Sequence, residues 1–237
     1  MSIDVSVMLL IVELILLIAT LSLLILARRE AHGRQLLLKQ ITSTAKMVSR
    51  QEYFNSVQFA MQKAIISIKG SITGSSPQTS EQKDRIDGII EQIRRARSRN
   101  VTLQYLVPKA QDRIPVASRY KEAGAELRFH AGLLVSDMRY VIVDGKHTVL
   151  GLPSAPGETE PTREGYVIRS EGLAQILLQN FEDKWRQAVT YDDYLNDLLL
   201  EIKSHNPIVS TQLLSSQLGV SELEIRRMLE TAERSAK

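Results

Sequence analysis

The chain has 237 residues, 43% hydrophobic and 24% charged, with 30 lysines and arginines against 27 aspartates and glutamates for a net charge of +3. That length holds one ordinary domain with appendages or two small ones, and the charge is too small for wholesale coating of nucleic acid. Cysteine is absent, which excludes a disulfide scaffold, thiolate zinc sites, iron–sulfur clusters and thiol nucleophiles.

Along the chain, residues 1–4 are a short N-terminus that carries Asp4. From Val5 to Ala27 run 23 residues whose only charge is Glu13. Roughly 20 apolar residues suffice to span a bilayer core, so 5–27 is expected to be one transmembrane helix. Its start, which carries Asp4 and no lysine or arginine, and its length argue against a cleaved signal peptide. Over 28–50 the basic residues Arg28, Arg29, Arg34, Lys39, Lys46 and Arg50 face only Glu30, six minus one or +5. The positive-inside rule then predicts a single-pass cell-membrane protein with its N-terminus outside and everything after Ala27 cytoplasmic, and membrane lipids as partners of the basic segment.

Residues 28–59 read as a basic helical linker, since apolar residues recur at helical spacing from Leu36 to Met61 without a proline. Ala64–Thr73 is a strand-type run ending in Gly74-Ser75-Ser76-Pro77, and a helix then opens at Ser80 and runs to about Ser98 on the face of Ile86, Ile89, Ile90 and Ile93. A strand at Val101–Val107, a helix at Ile114–Ala123 closed by Gly124, and a strand from Glu126 follow. Short strands are expected at Gly132–Ser136, Tyr140–Val143, Thr148–Leu150 and Tyr166–Ile168, with a polar loop at 152–163 and an amphipathic helix at Glu171–Ala188. Helices alternating with strands, then clustered strands, predict a mixed-sheet α/β domain over 60–190. The tail, 191–237, is helical: Tyr191–Ser204, the breaker Asn206-Pro207, then two helices around Leu218-Gly219-Val220-Ser221.

Asp137-Met138-Arg139 followed by Asp144-Gly145 resembles the phospholipase D superfamily motif His-x-Lys-x(4)-Asp-Gly. Gly151 stands where that family has Gly-Ser-x-Asn, Glu164 matches its following acidic residue, and Arg99-Asn100-Val101 takes the place of Arg-Gly-Val. The resemblance implies a phospholipase D-like mixed sheet flanked by helices. It also implies a homodimer, because one motif supplies one histidine of a two-histidine site. In that chemistry one imidazole attacks phosphorus and a second protonates the leaving oxygen. Here Asp137 replaces the nucleophile and Arg139 replaces the lysine, while Asp144 is retained. An aspartate attacking an anionic diester meets like-charge repulsion, so the expectation is a degenerate site that binds a phosphate-containing ligand through Arg139. The alternative is a phosphodiesterase, phospholipase or nuclease, using a relocated His130 or His147.

The four histidines, His32, His130, His147 and His205, lack metal-ligand spacing, and the sequence calls for neither metal nor cofactor. The segment from Ser210 to Leu229 resembles a helix–turn–helix module, with Gly219 for the turn and Ser221 as cap. Residues 207–237 hold four basic and four acidic residues, four minus four or zero, so nucleic acid is the weaker partner expectation and a membrane-tethered DNA-binding regulator the third reading.

Overall fold

The computed structural model describes residues 45–133, 138–152 and 164–235, all within one compact unit that begins at Ala45. Its centre is an eight-stranded sheet. The strands are β1 (Ala45–Ser49), β2 (Ser67–Ser71), β3 (Thr102–Pro108), β4 (Glu126–His130), β5 (Arg139–Val143), β6 (His147–Leu152), β7 (Glu164–Ile168) and β8 (Val189–Thr190). Their spatial order is β1-β7-β6-β5-β2-β3-β4-β8. The strands β2, β3 and β4 are parallel, which requires long crossovers. The helices α2 (Ser80–Ser98) and α3 (Ile114–Glu122) supply them. The strands β5, β6 and β7 form an antiparallel meander on β2.

Side chains alternate across the sheet and feed two cores. Val141 and Val143 of β5 join Tyr105 and Val107 of β3 under α1 (Arg50–Lys63), α2 and α3, while Tyr140 and Ile142 face the opposite helix, α4 (Glu171–Gln187). On α4 the residues Ala174, Leu177, Phe181 and Trp185 recur at helical spacing and are all buried. Burial of a side chain such as Phe181 stabilises by about 1.5–3 kcal/mol, and the Arg128 guanidinium caps this core 4.6 Å from the Trp185 ring.

Local chemistry sets the element ends. Thr79 caps α2 by accepting the Gln82 N–H at 3.2 Å, so the helix opens at Ser80 as expected. Asn100 adopts φ 61, the left-handed conformation that Asn tolerates better than most residues. The tail consists of α5 (Tyr191–His205), α6 (Thr211–Leu218) and α7 (Glu222–Ser235). Leu214, Leu218, Val220, Ile225 and Leu229 extend the core on the α3 side of the sheet. Lys121 of α3 holds both Asp192 of α5 at 2.6 Å and Glu224 of α7 at 2.7 Å.

Gly219 ends α6 at φ 59, and a Cβ there would lie 2.8 Å from Pro115 Cβ on α3. Gly219→Ala is therefore expected to destabilise the protein by about 1–2 kcal/mol from the left-handed backbone, with more where Pro115 must give way. A urea unfolding midpoint that does not move would refute this.

Several expectations need correction. Among the described residues no helix is long and apolar enough to cross a membrane. The transmembrane element is therefore withdrawn from the fold class, and with it the single-pass localisation and the lipid partners; residues 5–27, where the span was placed, lie outside the described residues. Ala45–Ser49, expected to be helical, is strand β1, because the free edge of β7 offers it a full antiparallel ladder. The helical spacing resumes only at Arg50, where Ser49 and Glu52 form a capping box. Gly132 lies in a turn and Leu133 in no strand; residues 134–136 of that expected strand and 153–163 of the polar loop fall outside the described residues.

Candidate ligand site at the start of β5

Arg139 opens β5 and shares the face of Val141. The side chain is largely buried, and burial lowers its pKa to about 10, with Tyr53 favouring its charge and Arg50 and Arg113 opposing it. At neutral pH it remains a cation, held close enough to two others to feel them.

The space before it is a cavity of about 370 Å³ between α1, the 72–79 loop, α2 and the sheet. That is at the lower end of small-ligand sites, which run from about 300 to 1,000 Å³. Arg50 and Arg85 enter it with Arg139, Tyr53, Tyr105 and Tyr120 form polar spots, and Val57, Met61 and Ile89 line its apolar depth. No Asp, Glu or His lies among its described lining residues. Arg85 and the neighbouring Arg113 are each anchored. Arg85 lies 5.2 Å over the Phe54 ring and pairs with Glu81, while Arg113 reaches Ser75 of the loop and Asp112. Gly74 of that loop has φ 64, and a Cβ there would meet Val107 at 2.9 Å, so the loop passes tight over β3. Burial raises the pKa of Tyr53, Tyr105 and Tyr120, keeping all three as neutral phenols. The Tyr105 hydroxyl is buried and has no hydrogen-bond partner among the described residues.

The other motif positions are elsewhere. Asp144 follows the far end of β5, five residues or about 17 Å along the strand. Its carboxylate accepts the N–H groups of Ile65 (3.0 Å), Ile66 (2.8 Å) and Ser67 (2.9 Å), and so clasps the β5–β6 turn to the start of β2. Burial opposes its charge, but those donors and nearby His147 outweigh it and hold the pKa below the ordinary carboxylate value. His147 pairs with Val143 at the same far end and is exposed. His130 ends β4, three strands or about 14 Å from β5. Alternation from buried Phe129 turns it to the opposite face of the sheet from Arg139, and its Nδ1 accepts the Gly132 N–H at 3.0 Å. Glu164 begins β7 opposite Ser49 and Leu152. Asp137 and the Glu164 side chain lie outside the described residues. Within one subunit, then, neither imidazole reaches Arg139. Its companions are Arg50 and Arg85, which sequence reading missed. Distant in sequence and without a motif, they gave no local signal beyond the Ser49–Glu52 capping box that places Arg50 at the start of α1.

Fold and cavity together define a mixed-sheet α/β unit with an arginine-lined pocket and a helical tail. Residues 47–192 match the family described as transcriptional regulator TrmB, EBD N-terminal subdomain. This covers well over half of the chain, and the protein belongs to that family. No curated protein matches the chain. Among solved structures, similar chains include Nuc from Salmonella typhimurium, a phospholipase D family member, at 17% identity over 62% of this chain and 97% of that one, with a TM-score of 0.49. NucT from Helicobacter pylori is similar at 12% identity over 62% of this chain and 98% of that one, TM-score 0.47. TrmBL2, an archaeal chromatin protein with a novel mode of DNA binding, is similar at 16% identity over 68% of this chain and 62% of that one, TM-score 0.45.

Proposed function

We propose that this protein is a DNA-binding transcriptional regulator whose α/β unit holds a ligand instead of hydrolysing a phosphodiester. Membership of a transcriptional-regulator family over residues 47–192 supports the first half. The second half is carried by the surroundings of Arg139, where arginines and tyrosines stand and no described residue supplies an imidazole. Without a nucleophile and a leaving-group acid, a bound diester is retained, not cleaved. The α6–α7 pair is the segment assigned to DNA, with Arg226 and Arg227 exposed on α7. Two copies of the chain would present two such pairs, in keeping with recognition of paired half-sites.

Selection of the full-length protein against a random duplex library tests the regulator, and the same preparation offered bis(p-nitrophenyl) phosphate tests for turnover. The expected outcome is enrichment of a defined sequence with salt-sensitive affinity, and no hydrolysis above buffer. Enzyme-like turnover lost in Arg139→Ala would overturn the binding reading; failure to enrich any sequence would overturn the regulator.

A further inference from the structure

We propose that the cavity between α1, the 72–79 loop and α2 is a site for a small uncharged molecule, an apolar body of fused-ring size that carries a carbonyl oxygen for the Tyr105 hydroxyl. The inference rests on the reading of this unit as a binding module and deepens it by naming the ligand class.

The charges in and behind the lining are already matched within the chain. Arg85 pairs with Glu81 and Arg113 with Asp112, while Arg50 and Arg139 likewise have interaction partners. An anion would give up its hydration for guanidinium groups that gain little from it. A cation fares worse, because no described lining residue is Asp or Glu. An uncharged ligand disturbs none of these contacts.

The walls describe the body of the ligand. Val57, Met61 and Ile89 border the cavity and are buried, whereas Gln78 and Thr79 of the loop are exposed and put polar groups at the rim. A space of about 370 Å³ with an apolar depth rewards a ligand in proportion to the apolar surface it covers. A polyhydroxylated ligand would instead need a partner for each hydroxyl along those aliphatic walls. The single polar feature of the ligand comes from Tyr105. This residue borders the cavity, is 1% exposed, and its hydroxyl has no hydrogen-bond partner among the described residues. Buried polar groups are paired as a rule, and burial holds this phenol protonated, so it stands as a donor. Its ring is fixed: Tyr120 meets it edge-on at 5.2 Å, and a Cβ on Gly70 of the neighbouring strand would lie 3.0 Å from it. A water molecule satisfies such a hydroxyl but leaves the aliphatic walls wet; a carbonyl on an apolar body serves both.

Equilibrium dialysis of the full-length protein against 2-acetylnaphthalene, 2-ethylnaphthalene and 2-naphthoate tests the site. The ketone is expected to bind saturably and the carboxylate roughly tenfold or more weakly. Tyr105→Phe removes only the hydroxyl. It should lower the ratio of ketone to hydrocarbon affinity by roughly fivefold, the worth of one neutral hydrogen bond. Ile72→Trp places an indole in the cavity, which Ile72 borders, and should abolish saturable binding of both neutral probes. If Ile72→Trp fails to fold by circular dichroism, Tyr105→Phe decides alone. No saturable ketone binding, a carboxylate that binds as tightly as the ketone, or affinities unchanged in the folded variants overturns the inference. The library selection and the turnover assay use no such ligand, so the site can fail while the regulator stands, and the reverse.

Discussion

Asp144→Ala is expected to destabilise the protein by about 3 kcal/mol. Three backbone N–H groups lose their carboxylate acceptor. Hydrogen bonds to a charged group contribute about 1.5–3 kcal/mol each, but the Ile65 and Ile66 amides are exposed and recover water, so the sum is held near 2 kcal/mol. The rest comes from the backbone: Asp144 has φ 52, where alanine carries a penalty of about 1 kcal/mol that Asp and Asn largely avoid. Asp144→Asn should therefore lose about half as much. The pH dependence has a defined sign. Because the folded pKa is depressed, this contribution is fully present above the unfolded value of about 3.9 and fades as pH falls from there through the folded pKa. Urea unfolding of wild type and both variants at neutral pH and in mild acid measures all of this. Unchanged stability combined with lost ligand binding would show that Asp144 serves the ligand and not the turn.

Phe129→Ala should cost about 3–5 kcal/mol, the range for emptying a buried phenylalanine site. Phe129 is 1% exposed, and its ring centre lies 4.6 Å from that of Tyr194 and 6.1 Å from that of Tyr191. Both tyrosines belong to α5, so this ring is the peg on which the C-terminal helices hang from β4. In the variant, limited proteolysis should cut first around Asn206–Val209, between α5 and α6, before the sheet opens. A stability loss below about 1 kcal/mol would place the docking energy of α5 elsewhere.

Elements whose stability is local were legible in the sequence. The helix α2 declares itself by isoleucines at helical spacing and a polar start, and β5 and β6 by alternation around Asp144-Gly145. The strand β1 is different, because Ala45–Ser49 owes its conformation to hydrogen bonds with β7, a partner more than a hundred residues away. Nothing within five residues could announce that, although the Ser49-x-x-Glu52 capping box did mark where the helix begins. The candidate site divides in the same manner. Arg139 was found because its spacing to Asp144 resembles a motif, yet the structure sends those two residues to opposite ends of β5. The residues that border the cavity with Arg139 come from α1, which joins the edge strand β1 to β2, and from α2, the crossover between β2 and β3.

The helix α3 carries a consequence for communication across the molecule. Val116 and Tyr120 on one side of it border the arginine-lined cavity. On another side Pro115 lies against Gly219, and Lys121 grips Glu224 of α7. A rigid rod of two and a half turns therefore shares its surfaces between a pocket and a helical pair, with no flexible joint in between. If occupation of the pocket shifts this rod and so changes the binding affinity of the helical pair, binding at the pair changes affinity at the pocket by the same factor, because linkage between two sites is reciprocal.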